Sequence, residues 1–401
     1  VLKRLEEVQQ LTVENVQDQV EQQLMAEGYY ETAKAYILYR EKRAKARAMR
    51  ERIAARMEDP SLEGTLREIE ADFDSAKYSL NLLAEQYERL IREGMSVREQ
   101  EKILVKAAIE LTTMEAPRWE YLAARLQNHF FSRTVREEMQ KQNIQTFPEK
   151  LHDLADEGLY GRYILEAYSE EELQMAGDMI CPERDRLFTY AGLELLLKRY
   201  VIHTRDGKPM ETPQEMFLGI ALHLAMQEKR DRMEWVQRFY DMLSRMEVTM
   251  ATPTMANARK PLYQLSSCFV DVVPDTLDGI YRSIDSFAKV SKFGGGMGLY
   301  FGKVRASGSA IRGFPGAAGG VIRWIKLVND TAVAVDQLGM RQGAVAVYLD
   351  VWHRDLPEFL QLRTNNGDDR QKAHDVFPAV CYPDLFWKLA EKNIDAKWYL
   401  M

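Results

Sequence analysis

The side chains best suited to chemistry in this sequence fall between residues 250 and 345. Cys268 stands in "QLSSCFV", inside an alternating, strand-like run. A thiol there is either a small apolar residue of a strand or one half of a redox pair, and the sequence names no partner for it. Asp275 lies in "VVPDTLDGI", just ahead of Leu277, Ile280, Ile284 and Phe287, which recur at helical spacing. It reads as an N-cap, and a carboxylate so placed can also accept hydrogen bonds from a ligand's hydroxyls. Arg305 and Arg312 flank Gly308 in a turn-rich stretch. Two guanidiniums on one loop either face solvent or grip a polyphosphate through paired, charge-assisted hydrogen bonds. "TPT", residues 252–254, reads as a turn or the start of a strand.

Between these lies "SKFGGGMGLYFGKV", with Gly294, Gly295 and Gly296 in succession and Gly298 after them. Two familiar phosphate loops are excluded. A P-loop needs a Gly five residues before its Gly-Lys pair and a hydroxyl after it. Gly302–Lys303 has Met297 and Val304 at those places. A dinucleotide fingerprint starting at Gly296 and Gly298 meets Phe301 where its third Gly belongs.

The elements that must position these residues change in texture along the 401-residue chain. Up to about residue 250 it reads as successive helices. "TVENVQDQVEQQLMAEGYY" has Thr12 at the N-cap place, Val13, Val16, Val20 and Leu24 on one stripe, and Gly28 as a C′ stop. A long helix with Ala33, Tyr36 and Ile37 on one face follows, and Pro60 and Gly64 mark a boundary. Two further amphipathic stretches, 66–94 and 100–112, come next. After residue 250 short β-rich runs alternate with helical stretches over 277–290, 321–335 and 356–362. Long crossovers between strands imply parallel pairing, hence an α/β barrel of which this is the first half.

The bulk composition fits a globular chain of two or three domains, 46% apolar and 29% charged. Net charge is −7, which argues against an extended nucleic-acid surface. Three scattered cysteines, Cys181, Cys268 and Cys381, give neither a disulfide framework nor a zinc pair. No metal site, signal peptide or membrane span is expected, and a reducing, cytoplasmic setting is. The chain begins with Val and closes on "KWYLM", which reads as a fragment cut at both ends.

Taken in order, "ATPTMANARKPLYQLSSCFV", "PDTLDGI", "KFGGGMG", "KVRASGSAIRG", "DQLGMRQGAVAVYLDVWH" and "RTNNGDDRQKAHDVFPAV" closely resemble the large (alpha) subunit of class I ribonucleotide reductase. "QDQVEQQLMAEGYYETAKAYILYREKR" resembles the last helices of the ATP-cone that precedes its catalytic domain. The resemblance implies an α+β/α/β chain: a partial ATP-cone over 1–48, a helical domain over 60–250, and over 251–401 the first half of a ten-stranded barrel. It implies reduction of ribonucleoside diphosphates by a thiyl-radical route, with the radical supplied by a dimetal small subunit and no cofactor bound directly. Cys268 matches the first of two reducing cysteines; Thr252, Ser267 and Gly296 match substrate-binding positions. Asp275, Thr276, Leu277, Arg305 and Arg312 match the site of a dNTP or ATP effector. Gln337 and Arg341 match a loop that relays effector identity to the substrate, with Gly339 and Gly343 giving it backbone freedom. The helices beginning near Asp275 and Gly320 match those of a homodimer interface.

The family's Asn-Leu-Cys-x-Glu segment, second reducing cysteine, radical-transfer tyrosines and C-terminal C-x-x-C tail, which meets thioredoxin or glutaredoxin, have no counterpart up to Met401. Cys181 and Cys381 match none of these roles and read as structural. The first part of the ATP-cone is also missing, so overall-activity control is not expected, and the stretch alone is expected to be inactive. The alternatives are a catalytically silent nucleotide-binding or dimerisation fragment, and a cobalamin-dependent (class II) relative. No membrane or nucleic-acid polymer is expected as a partner.

Overall fold

A computed structural model describes residues 13–74, 76–337 and 342–401. It divides into two compact units, one formed by 1–143, 181–198 and 203–213, the other by 144–180, 199–202 and 214–401. Among the described residues no helix is long and apolar enough to cross a membrane, and no group of three or more His, Cys, Asp or Glu side chains could hold a metal ion.

The first unit is helical. Val13–Ala26 and Tyr30–Arg56 are joined at Gly28, whose φ of 81° suits the left-handed turn that ends the first helix. Thr12 lies outside the described residues. Of the boundary expected at Pro60 and Gly64, Pro60 lies in the break between Arg56 and Leu62, whereas Gly64 lies inside the first turn of the next helix, Leu62–Asp72. The stretch 66–94 breaks at 73–79, where Ser79 caps Leu80–Leu90 by accepting from the Asn81 amide. Ser96 and Glu99 form a reciprocal capping box for Val97–Glu110. These helices and Trp119–Lys141 bury Leu66, Ile69, Leu83, Leu104, Trp119 and Leu126 in one core. A buried polar cluster runs through it. The Asp59 carboxylate, 4% exposed, accepts from the Ser61 hydroxyl at 2.6 Å, from His129 Nε2 at 2.8 Å and from Arg133 at 2.6 Å, and Arg133 also pairs with Glu101.

The second unit carries helices and then the α/β segment. "TPT" is not a strand start: Thr252–Asn257 is a short helix, with Pro253 where a missing N–H costs nothing. Arg259 follows, fully buried, its guanidinium donating to the carbonyls of Met255 and Tyr200. Four strands then form a parallel sheet in chain order: β1 (Cys268–Val272), β2 (Gly296–Tyr300), β3 (Val345–Asp350) and β4 (Val376–Cys381). The crossovers carry α1 (Leu277–Lys292), α2 (Val321–Ala334) and the one-turn α3 (Leu356–Phe359).

Strand alternation decides which side is covered. Met297, Leu299, Val345, Val347, Leu349 and Val376 pack with Ile280, Phe287, Ile325 and Val328 of the helices. The opposite face carries Cys268, Val270, Val272, Gly296, Gly298, Tyr300, Tyr348 and Phe377. It is open: Val270 is 87% exposed and Phe377 55%. The expectation of helices followed by a parallel α/β region matches this architecture.

Candidate functional site

Cys268 opens β1 rather than sitting mid-strand, and it is exposed. The reading of it as a small buried residue is therefore wrong, because it points to the uncovered face. Its register partner is Gly296, and the Gly296 amide donates to Ser267 O at 2.8 Å. The Ser267 hydroxyl donates to the Cys268 sulfur at 3.6 Å. With no side chain at 296, the surface beside the thiol is bare backbone. A Cβ there would meet nothing closer than Ala344 O at 3.4 Å, so this glycine leaves room instead of relieving a clash.

Three segments are tied together behind the thiol. Asn257, at the end of the short helix, donates through Nδ2 to Gln264 O at 2.9 Å and to Phe293 O at 3.3 Å. Gln264 Nε2 donates to Ser266 O at 2.9 Å. Gln337, 3% exposed, donates through Nε2 to Gly295 O at 3.1 Å, while its Oε1 is buried without a partner. So the glycine turn is held from one side by the segment that precedes Cys268 and from the other by the loop that begins at 337. Thr252 shares a hydrogen bond with the Tyr200 hydroxyl at 3.2 Å. Asn257 and Gln264 escaped the sequence reading because an amide that bonds carbonyls distant in the chain leaves no periodic signal. Arg341 and Gly339 lie outside the described residues.

Gly343 does not act through backbone freedom. A Cβ on it would stand 2.5 Å from Ala332 O and 2.9 Å from Val335 O. Glycine is needed there because β3 enters hard against the end of α2. Because backbone atoms cannot yield as a side-chain tip can, Gly343→Ala is expected to destabilise the second unit by about 3 kcal/mol, read as a lowered denaturation midpoint.

At the other end of β1 and β2, Arg305 and Asp275 meet. Arg305 Nε donates to Asp275 Oδ2 at 2.7 Å and the Arg305 amide to Oδ1 at 3.2 Å, with both side chains about one-third exposed. This explains why Asp275 is not the N-cap of α1. Thr276 is, extended at φ −141° and accepting from the Gly279 amide at 3.1 Å. Leu277 follows as the exposed first residue of α1. Arg312, at a turn with φ 49°, makes no side-chain hydrogen bond or ion pair among the described residues. The structure thus brings Asp275, Thr276 and Arg305 together and leaves Arg312 free on the loop tip.

Cys381 shares the open face with Cys268 but stands at the far end of β4, where it lines a cavity of about 490 Å³ with Tyr300 and Tyr348. Burial, and then the charge of Asp350, raises its thiol pKa, which keeps it protonated and poorly nucleophilic. The Tyr300 hydroxyl donates to Asp350, and burial with that bond lifts its pKa to about 12.

Three family models match in succession: an ATP cone domain over residues 1–45, a ribonucleotide reductase all-alpha domain over 186–263, and a ribonucleotide reductase barrel domain over 266–401. The chain is 61% identical over 389 residues to the ribonucleoside-diphosphate reductase subunit alpha of Treponema pallidum (strain Nichols), covering 97% of this chain and 46% of that relative. The protein of the same name from a Synechocystis strain is 43% identical over 304 residues, and that from Helicobacter pylori strain 26695 is 39% identical over 310, each with 38% of its length covered. This chain therefore spans less than half the length of these relatives. With its helical region, parallel α/β region and three successive matches, the chain belongs to the ribonucleotide reductase large (alpha) subunit family.

Proposed function

We propose that this chain is the part of a ribonucleoside-diphosphate reductase alpha subunit that faces both its nucleotides. The observation that carries the reading is Cys268, exposed at the head of β1 and in register with a side-chain-free Gly296. A ribose can lie against that backbone with its 2′ carbon near the sulfur. In the reaction, two thiols deliver two electrons and their protons; the 2′-hydroxyl leaves as water, the carbon gains hydrogen, and the thiols close a disulfide. Cys268 is one of the two, with Thr252 and Ser267 holding the substrate's diphosphate or ribose. The partners of the whole enzyme are a radical-supplying small subunit, a thioredoxin or glutaredoxin reductant, and a second copy of this chain. The segments are cone helices over 1–48, a helical domain over 60–250 and barrel over 251–401, in a cytoplasmic setting.

The second nucleotide is a dNTP or ATP effector, held by Asp275, Thr276, Leu277, Arg305 and Arg312, with Gln337 and Arg341 as the relay toward the substrate. The Asp275–Arg305 pair favours this, since it presents a preformed guanidinium on the stretch that also carries Arg312. Equilibrium binding of dTTP tests it. Saturable binding in the micromolar range is expected, weakened about thirtyfold in Arg305→Ala through loss of charge-assisted hydrogen bonds. No saturable binding by the unsubstituted chain would rule out the effector site.

A further inference from the structure

Helix α2 begins at Val321 with Gly320 at its N-cap place, so it has no capping side chain of its own. The missing acceptor comes from far along the chain. Asp355, 5% exposed, takes the Val321 amide on Oδ2 at 2.9 Å and the Ser307 amide on Oδ1 at 2.9 Å. One carboxylate therefore closes both ends of the 307–321 loop, which carries Arg312 and starts two residues after Arg305. Gly320 is shaped to this contact: its φ is 74°, and a Cβ would stand 2.3 Å from Asp355 Oδ2.

His353 adds a third anchor. Its Nε2 lies 2.9 Å from Val304 O, and its Nδ1 accepts the Asp355 amide at 3.1 Å. A carbonyl on one nitrogen and an N–H on the other fix the neutral tautomer with hydrogen on Nε2. Val304 is the residue before Arg305. The anchors at 304, 307 and 321 thus fix where the chain leaves β2, where it turns after Arg305, and where it enters α2. Inside the loop, Gly308 donates to Ala318 O at 3.0 Å and Arg305 Nη1 to Ala310 O at 2.9 Å.

We propose that Asp355, supported by His353, is the positioning residue of the effector site: it clamps the base of the 305–320 loop and so sets the pose in which Arg305 and Arg312 meet the effector's phosphates. The proposal rests on the effector-site reading above. Asp355 touches no ligand itself. It also lines a cavity of about 670 Å³ with Ser307, Gly319 and Arg323. Water from that cavity can reach the two amides once the carboxylate is gone, so its removal loosens the loop without unfolding the sheet.

The test uses Asp355→Asn and Gly320→Ala. An asparagine amide can accept only through its one oxygen, which leaves an N–H facing an NH2 group. The Gly320→Ala methyl pushes the clamp apart from the backbone side. Two readouts are taken on each protein: the Kd for dTTP, and amide hydrogen exchange in peptides covering 304–321 and 345–350. Both variants are expected to bind dTTP about tenfold more weakly or worse, with faster exchange in 304–321 and unchanged protection in 345–350. Affinity within about twofold of the parent, or unchanged exchange in 304–321, overturns the proposal. Loss of protection in 345–350 as well overturns it too, since the contact would then be a requirement of the fold. If the unsubstituted chain fails to bind dTTP, the effector-site reading falls, and the clamp as a device of that site falls with it.

Discussion

Cys268→Ser in the assembled holoenzyme is expected to lower steady-state deoxynucleotide formation with a dithiol reductant by about a thousandfold or more. The reason lies in electron count. A serine hydroxyl at the head of β1 preserves the size of the side chain beside Gly296 but cannot form the disulfide that balances loss of the 2′-hydroxyl. The fold should not register the change, because Cys268 is exposed and, among the described residues, its side-chain partner is the Ser267 hydroxyl. Unaltered thermal unfolding together with lost turnover is the expected pair of results. Turnover within tenfold of the parent (about 1.4 kcal/mol in barrier) would remove Cys268 from the reaction.

The second large effect is on stability, in the helical unit. Burial alone would raise the pKa of Asp59, but hydrogen bonds from Ser61, His129 and Arg133 outweigh it and hold the carboxyl at about 2. In the unfolded chain an aspartate titrates near 3.9. The folded form therefore binds its proton less readily, so the stabilisation is complete above pH about 4 and is lost as pH falls through about 2. Asp59→Asn removes the charge facing His129 and Arg133 and is expected to cost the unit about 3 kcal/mol at neutral pH. The gap between variant and parent should narrow as the pH is taken down toward 2. Urea midpoints at several pH values check both the size and the direction. A gap that widens on acidification contradicts the account.

Much of the architecture could be read from residue order, and the misreadings share a cause. Short β-rich runs separated by long helical crossovers leave parallel pairing as the natural solution, and β1 to β4 pair that way. Asp275 and Thr276 are both good caps by residue type. What separates them is Arg305, thirty residues on, which takes the aspartate and leaves the threonine to cap. Thr252 to Thr254 read as a turn or a strand start, yet proline at 253 fits the first turn of a helix. Asp355 carries no local mark at all: its partners are backbone amides at 307 and 321, and any residue type except proline could have supplied those. Gly343 was recognised as needing to be glycine, but the need comes from the end of α2 pressing on it.

Gln337 offers a single donated hydrogen bond to the carbonyl of Gly295 and keeps an unmet oxygen in a dry place. An exchange at that spot can trade little more than one such bond, about 1 kcal/mol net. If Gln337 is the relay proposed above, a message carried by this contact alone would bias the choice of base by about fivefold. On that reading, sharper discrimination between purine and pyrimidine substrates needs contacts besides this one, each adding its own small preference to the first.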